Sequence, residues 1–214
     1  LAPDNIGEHV AAMQGRGEGS SAPEPSAPGA IPGNTTHISV VDGEGNAASY
    51  TSSNGESCGW LWPGADLPVN NFLGEEDINP LGFHLGRPGS RLRTMMTPSL
   101  LVDDEGAVTA LGTGGANRIR TAMLQVVRNL VDGGMTLEEA VAYPRLHVER
   151  GRVAIEAEGL PPEVIEAAVA GSTAHSVFPG RHLYFGGVHC VRRHGDGRFE
   201  AVGDPRRSGC GALA

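Results

Sequence analysis

Apolar side chains recur with the period of an α-helix in one long segment of the chain, just after residue 115. The apolar positions, at i, i+3, i+4, i+7, i+8 and i+11, are Ile119, Ala122, Met123, Val126, Val127 and Leu130. An α-helix has about 3.6 residues per turn, so this spacing places all of them on one face. Gly133-Gly134 follows and predicts the end of the helix. The sequence therefore predicts one amphipathic helix that buries a single face.

Three further stretches carry shorter or weaker helical signals. Thr136 and Glu139 have the spacing of a capping box, which predicts a short helix that ends near Pro144. A proline pair opens residues 161–170 and predicts another helix there. Residues 1–16 show a weak pattern of apolar positions on roughly one face.

Strand signals alternate with these helices and pair into hairpins. Residues 37–42 and 47–51 flank a glycine-containing turn, and residues 99–102 and 107–111 flank an acidic one, which predicts two hairpins. Residues 52–92 are rich in Gly, Pro and Asn and predict loops. Further strands are predicted at Val153–Glu156, Gly187–Arg192 and Phe199–Gly203. Strand pairs, helices and strand pairs in this order suggest a layered α+β or sandwiched-sheet fold.

Composition narrows the class of protein. The 214 residues carry a formal net charge of -9, which argues against a nucleic-acid partner because phosphates attract basic surfaces. Hydrophobic residues make up 39% of the chain, enough for a buried core. No apolar run approaches the ~18 residues of a membrane helix. The 32 glycines indicate tight turns and close backbone approaches.

The start of the sequence and its cysteines bear on compartment and cofactors. Residues 1–4 are neither basic nor strongly apolar, so no signal peptide opens the sequence. Leu1 is not an initiator methionine, so we expect a longer precursor, and localisation stays open. Cys58, Cys190 and Cys210 are odd in number and lack metal-ligand spacing. We therefore expect no disulfide framework, no metal and no cofactor.

Two adjacent threonines carry the most informative chemistry. Residues 17–34 contain mostly Gly, Ser, Pro and Ala, and predict a linker that is easily cut. Thr35 and Thr36 follow it and lead directly into the first predicted strand. A threonine hydroxyl is a weak nucleophile, but a free α-amine on the same residue can act as its base. That amine exists only if the bond between Asn34 and Thr35 is cut; otherwise the pair is an ordinary strand edge.

A second candidate element is the glycine run Gly112-Thr113-Gly114-Gly115, predicted at a strand-to-helix turn. Consecutive backbone N–H groups at such a turn can stabilise a developing oxyanion, helped by the positive end of the helix dipole. By itself the run is weak evidence for such a site, because a tight turn that has no catalytic role also uses glycines.

Together these elements resemble the small catalytic subunit of the γ-glutamyltransferase (γ-glutamyltranspeptidase) family. The matching blocks, in order, are 35–42 with 45–47, Asn54, Asn70-Asn71 with the acids beyond it, 95–99 with 113–119, 143–147, and Asp204-Pro205-Arg206. The resemblance implies an N-terminal-nucleophile hydrolase fold, an αββα sandwich. It also implies that residues 1–34 are the tail of a large subunit and that 35–214 form the catalytic small subunit.

The resemblance further implies a zymogen that cleaves itself before Thr35 and remains a heterodimer. Thr35 would attack the γ-glutamyl amide of glutathione or a related compound, and water or an acceptor amino acid would take the acyl group. In the family pattern Thr36 helps to hold the nucleophile, and Gly114 and Gly115 supply oxyanion N–H groups. Asp204-Pro205-Arg206 is interpreted as structural, packing or capping a turn.

The resemblance assigns the substrate-binding roles to residues of this chain less uniquely. Asn54 matches the position that contacts the bound glutamyl group. The α-ammonium is expected on the acid after Asn70-Asn71, where Glu75, Glu76 and Asp77 are consecutive and counting favours Glu75. An arginine for the α-carboxylate belongs to the large subunit in the family.

The chain departs from the family at two places, which leaves the substrate open. The family's serine pair before the Met-Met block is replaced by Arg93-Thr94, and the loop at 55–60 differs. Thr94 can replace one hydroxyl, whereas Arg93 either adds a carboxylate-binding charge or faces solvent. The alternatives are therefore an acylase of the same fold that cuts a glutaryl or cephalosporin-type side chain, and a non-maturing paralogue that acts as a binding subunit. His37 shares a strand face with Thr35, but the family uses the α-amine as its base.

Overall fold

The computed structural model describes residues 35–214, so the helix predicted within 1–16 and the linker at 17–34 lie outside the described residues. The strands are β1 Thr35–Val41, β2 Ala47–Ser53, β3 Leu61–Trp62, β4 Leu67–Pro68, β5 Ser99–Val102, β6 Val108–Gly114, β7 Leu146–Glu149, β8 Arg152–Glu156, β9 Ala174–Phe178, β10 Gly187–Arg193 and β11 Phe199–Val202. The α-helices are α1 Arg118–Val131, α2 Leu137–Ala142 and α3 Pro162–Val169. Single 3₁₀ turns lie at Phe72–Gly74, Leu183–Phe185 and Pro205–Arg207.

A four-stranded antiparallel sheet is the centre of the described fold. Its strand order is β11-β10-β6-β5. Helices α1 and α2 pack on one face, and the β1–β2 hairpin packs across β6 and β10 on the other. Because β6 is covered on both faces, all its residues from Thr109 to Gly114 are buried. A separate sheet, β7-β8-β9, contains one parallel pair, β8 with β9.

The hydrophobic core lies between the central sheet and the two helices. The apolar face of α1 is buried as its spacing predicted, and Leu111, Val188 and Cys190 of the sheet pack against it. The capping box at the start of α2 is present in full: Thr136 Oγ1 accepts from Glu139 N, and the Glu139 carboxylate accepts from Thr136 N. Burial of this apolar surface is the main favourable term that fixes α1 and α2 on the sheet.

The structure confirms the predicted α+β class and corrects two details of the prediction. Gly112 and Gly114 do not form the strand-to-helix turn, because β6 continues through Gly114 and the turn begins at Gly115. Strands β7 and β9 were not predicted, and neither was the two-residue pair β3 and β4 within residues 52–92, which were predicted as loops. The longest predicted helix, α1, agrees with the structure to within a residue or two.

Candidate active site

The start of β1 and the end of β6 meet at Thr35. This residue is half-buried on the face of the hairpin that packs against the central sheet. A Cβ atom at Gly114 would lie 2.8 Å from the Thr35 carbonyl oxygen and 3.0 Å from Thr35 Cβ. Only glycine therefore allows β6 to approach the candidate nucleophile this closely without displacement of either chain.

The Thr35 hydroxyl has a hydrogen-bond partner that the sequence analysis missed. Thr35 Oγ1 lies 2.7 Å from Ser53 Oγ, and Ser53 Oγ accepts a hydrogen bond from Gly55 N at 3.0 Å. The Ser53 proton remains available, so Ser53 can donate to Thr35 Oγ1 or accept its proton. The register of the hairpin places Thr35 directly opposite Ser53, so a sequence argument built outward from the turn would have found this residue.

The turn after Gly114 has a backbone that suits glycine. Gly115 has φ of 140°, and Ala116 follows with φ of 50°. A Cβ at Gly115 would also lie 2.9 Å from the Cα of Gly186. Helix α1 begins two residues after Ala116, so its N-terminal end adjoins the turn. Gly114 thus lies beside Thr35, Gly115 adjoins the N-terminus of α1, and the oxyanion role of both stays a prediction.

The turn is also held by a buried threonine. Thr113 Oγ1 donates to the carbonyl of Gly114 at 2.8 Å and accepts from Gly187 N at 2.9 Å. Because both bonds are buried, their loss would leave unsatisfied polar groups next to Gly114. Thr113 therefore fixes the end of β6 against β10.

An arginine close to the C-terminus of the chain reaches the same place. Arg207 Nη1 donates to the carbonyl oxygen of Thr35 at 3.0 Å. Nothing in the local sequence around Arg207 signals this contact, which joins residues 172 positions apart. The three sides of Thr35 are thus formed by Gly114, Ser53 and Arg207.

The Asp204-Pro205-Arg206 block is structural, as predicted. Asp204 Oδ1 accepts from Arg206 N at 2.9 Å and so caps the 3₁₀ turn that follows it. Its Oδ2 accepts from Arg145 Nη2 at 2.6 Å and from Val188 N at 3.0 Å. The Arg206 guanidinium forms an ion pair with Glu156, which is 1% exposed. Two arginines and two acids are therefore buried together, so each charge is compensated.

His37 faces the central sheet but does not touch Thr35 Oγ1. Its Nε2 lies 2.8 Å from Ser39 Oγ, which itself donates to the carbonyl of His189. Ser39 must then accept from His37, so the proton is on Nε2, and Nδ1 accepts from the Thr51 hydroxyl at 2.7 Å. Burial, with a smaller effect of His189, lowers the pKa of His37 to about 4. A neutral imidazole with both nitrogens engaged is a poor general base.

Of the predicted substrate-binding residues, Glu75 is the one whose side chain lies in the loop beside Thr35 and Ser53. Glu75 Oε1 accepts from Glu56 N at 3.0 Å, and a side chain at Gly55 would overlap the Glu75 carboxylate. Because Gly55 N bonds to Ser53, Glu75 lies in the loop next to the nucleophile. Partial burial raises the pKa of Glu75, with Glu56 and Asp77 adding to the shift while the bond from Glu56 N opposes it.

The other predicted residues form no side-chain hydrogen bond with Thr35 within residues 35–214. Asn54 contributes its backbone carbonyl, which accepts from the amides of Ser57 and Asn71. Glu76 is exposed and pairs with Arg150 at 3.5 Å. Thr36, Arg93 and Thr94 are exposed, with Thr36 on the outer face of β1. Their roles, like that of Asn54, stay predictions.

The side chains and helices of residues 35–214 bear on metal binding and on membrane insertion. Within that range no cluster of His, Cys, Asp and Glu has the arrangement of a metal site. The helices of that range also include none with the length and hydropathy to cross a membrane. Burial raises the pKa of Cys190 to about 12, so this thiol is unreactive.

Comparison with known proteins identifies close relatives by sequence. A sequence model of the family described as "Gamma-glutamyltranspeptidase" matches residues 4–214. The acylase ACY 1 proenzyme of Pseudomonas sp. (strain V22) is 33% identical over 177 residues, which is 82% of this chain. The glutathione hydrolase proenzyme of Bacillus subtilis (strain 168) is 29% identical over 84% of this chain. The chain spans 31% of the acylase and 30% of the glutathione hydrolase.

Solved structures agree with the sequence relatives. A γ-glutamyltranspeptidase from Pseudomonas nitroreducens, determined in complex with L-DON, superposes with a TM-score of 0.69 at 28% identity. The match covers 84% of this chain and 99% of the solved one. The predicted N-terminal-nucleophile hydrolase fold is thereby confirmed.

Proposed function

Since this chain belongs to the γ-glutamyltranspeptidase family, we propose that residues 35–214 are the catalytic subunit of an acyltransferase with Thr35 as nucleophile. The observation that carries the proposal is the convergence on Thr35 of Gly114 and Ser53, from different strands. Such a constellation provides a nucleophile, a partner for its hydroxyl and a glycine turn at a helix N-terminus. An ordinary strand edge does not require a glycine packed against its first residue.

The proposed reaction begins with cleavage of the Asn34–Thr35 peptide bond, which frees the α-amine of Thr35. This amine takes the hydroxyl proton while Oγ1 attacks the γ-glutamyl carbonyl of glutathione or a related amide. Backbone N–H groups of Gly114 and Gly115 stabilise the oxyanion, and the protonated amine then donates to the leaving amine. Water or an acceptor amino acid attacks the resulting ester, and Thr35 is regenerated.

The length of the solved relative supports the proposed cleavage position. The matched share of this chain, 84%, is the share that residues 35–214 represent, and the match takes up 99% of the solved chain. A separate chain in a γ-glutamyltranspeptidase structure therefore has the extent that cleavage before Thr35 would produce. The division into residues 1–34 and 35–214 rests on this correspondence and on the family pattern.

The outer face of the hairpin supports a second subunit as partner. Ile38 and Tyr50 are opposite each other on that face and are 56% and 62% exposed. In an αββα sandwich a second helical layer covers this face, whereas α1 and α2 pack on the central sheet and α3 packs on β8. We propose that the large subunit of the same precursor supplies that layer, together with the residue that binds the substrate α-carboxylate.

The loop next to Thr35 supports recognition of an α-ammonium group. Glu75 lies beside Gly55, and Glu56 and Asp77 add negative charge around it. A bound ammonium would offset this repulsion and favour ionised Glu75. Glu76, which turns outward to Arg150, is the weaker candidate.

A second candidate, an acylase for glutaryl or cephalosporin-type side chains, is favoured by the 33% identity to the acylase ACY 1 proenzyme. A glutaryl group lacks the α-ammonium, so this reaction would not need Glu75. Exposed Arg93, where the family has serine, leaves room for a different contact to a carboxylate.

The test compares Thr35→Ala with Ser52→Ala, which removes an exposed hydroxyl from the same hairpin. Each full-length variant is assayed for cleavage by intact mass and for amine release from γ-glutamyl-p-nitroanilide and glutaryl-p-nitroanilide. We expect only Thr35→Ala to abolish cleavage and turnover, and the unmodified protein to prefer the γ-glutamyl substrate. Activity on the glutaryl substrate alone would select the acylase, and a processed, active Thr35→Ala protein would refute both.

A further inference from the structure

Arg207 is the one cation that forms a hydrogen bond with Thr35 among the described residues. Its stem packs under Gly187, where an added Cβ would lie 2.8 Å from both Cβ and Cγ of Arg207. The guanidinium then extends to the Thr35 carbonyl oxygen, 3.0 Å from Nη1, and to the site of Gly114. A long flexible side chain is thus held in one direction, towards the candidate nucleophile.

The backbone that presents Arg207 is held by the hydrogen bonds of a capped 3₁₀ turn. Its amide donates to the carbonyl of Asp204 at 3.2 Å within the capped 3₁₀ turn. Ser208 follows with φ of 51°, which ends the turn. The neighbouring Arg206 points the opposite way, into the buried pair with Glu156. Two adjacent arginines therefore have separate tasks, one structural and one at the site.

The charge of Arg207 is not neutralised by an ion pair within residues 35–214. Asp204, the acid nearest to it in sequence, is already paired with Arg145 and Arg206. Burial lowers the pKa of Arg207, and the cation of Arg118 lowers it further, against a smaller opposing effect of Asp204. An arginine nevertheless stays protonated under all ordinary conditions. An uncompensated positive charge is therefore held beside Thr35.

We propose that Arg207 is a positioning residue that orients the first peptide group of the mature chain and keeps the freed α-amine of Thr35 unprotonated at neutral pH. This inference rests on the function proposed above and explains how its base is prepared. An unperturbed α-amine has a pKa of about 7.7–8.0, so most of it would be protonated at pH 7 and unable to accept the hydroxyl proton. A fixed cation nearby destabilises the protonated amine and so favours the basic form.

The expected size of this effect follows from the geometry. The amine nitrogen and carbonyl oxygen of one residue are about 3 Å apart, which puts the guanidinium charge about 6 Å from the amine. Coulomb's law then gives a shift of about 0.5 pH units for a fully solvated pair and about 2 units at an effective dielectric constant of about 20.

The other charged or titratable groups around Thr35 have smaller or opposite effects. His37 on β1 and His189 on β10 are buried, and burial lowers the pKa of both, so they are neutral at pH 7. Arg118 on α1 donates to the carbonyl of Tyr184 instead of Thr35. Glu75 in the loop would raise the pKa of the amine until a substrate ammonium occupies it. Asp204 is held by its two arginines.

The test is the pH dependence of kcat/KM for γ-glutamyl-p-nitroanilide in the full-length protein. Arg207→Met removes the charge with similar length, Arg207→Lys retains it, and Arg128→Met removes an exposed arginine that pairs only with Asp132. We expect the acid limb of Arg207→Met to move up by about 0.5–2 pH units. The limbs of Arg207→Lys and Arg128→Met should stay at the position of the unmodified protein.

Cleavage is separated from catalysis by a two-chain form, in which a chain that begins Met-Thr35 is co-expressed with the large subunit. Removal of the initiator methionine then frees Thr35 without self-cleavage, and the same variants are compared in this form. An acid limb of Arg207→Met that coincides with that of the unmodified protein would overturn the inference, whatever the change in rate. If instead the unmodified protein has no Thr35-dependent activity, it is the proposed function that fails.

Discussion

Gly114→Ala tests the packing of β6 against the candidate nucleophile. The added methyl would lie 2.8 Å from the Thr35 carbonyl oxygen and 3.0 Å from Thr35 Cβ, whereas ordinary contacts are 3.4–4 Å. Its backbone φ is ordinary for an alanine, so the perturbation is steric alone. Relief of the overlap requires β1 or β6 to move by roughly 0.5–1 Å, and a misplacement of this size costs up to ~10²-fold in rate.

We therefore expect Gly114→Ala to lower kcat, normalised to cleaved protein, by roughly 10–100-fold. Overpacking should cost only about 1–3 kcal/mol of stability, so the variant should stay folded at 25 °C. Gly43→Ala is the matched control, since that glycine also has ordinary φ and nothing within 4 Å of its added Cβ. Unchanged kcat in Gly114→Ala, or an equal loss in Gly43→Ala, would refute the placement of the nucleophile against Gly114.

Three further predictions concern neighbouring groups. Ser53→Ala should lower kcat with little change in KM, because Ser53 Oγ contacts the Thr35 hydroxyl. Ser52→Ala should change neither constant, and equal kinetic constants for the two variants would contradict the prediction. Glu156→Gln should lower the free energy of unfolding by ~3–5 kcal/mol, measured by thermal or urea unfolding, because it leaves the buried Arg206 charge without its ion pair. The control Glu166→Gln, at an exposed position, should leave the free energy of unfolding nearly unchanged. Burial lowers the pKa of His37 from 6.5 to about 4. As the pH falls, His37 therefore binds a proton at a higher pH in the unfolded chain than in the folded chain. Stability should fall as pH drops from about 6.5 to 4, and His37→Gln should flatten that part of the curve.

The elements that the sequence predicted well are those whose signal is local. The amphipathic spacing of α1 and the capping box of Thr136 are properties of a few consecutive residues, and both have the predicted geometry. The first hairpin was also predictable, because its turn and alternating pattern fix the pairing. The register of that hairpin also places Ser53 opposite Thr35. The residue types alone, however, do not distinguish Ser53 from the other hydroxyl residues of β2.

The features that sequence reasoning missed depend on long-range packing. Gly112 and Gly114 suggested a turn, yet they extend β6 by pairing with His189 and Gly187 of β10. They are glycines because His37 and Thr35 of the hairpin occupy the space that side chains there would need. Arg207 approaches Thr35 only because β10 and the capped turn bring the end of the chain back to its first strand. The short strand β9 forms only by pairing with β8.

The central claim is that Thr35, freed by cleavage of the Asn34–Thr35 bond, carries the acyl group. Its most direct test is mass analysis of the full-length protein quenched during turnover of a γ-glutamyl substrate, with peptide mapping of the adduct. We expect a chain that begins at Thr35 and bears one γ-glutamyl group, lost after treatment with hydroxylamine and absent in Thr35→Ala. An adduct on any other residue, or turnover by a chain in which Asn34 and Thr35 remain joined, would contradict the claim.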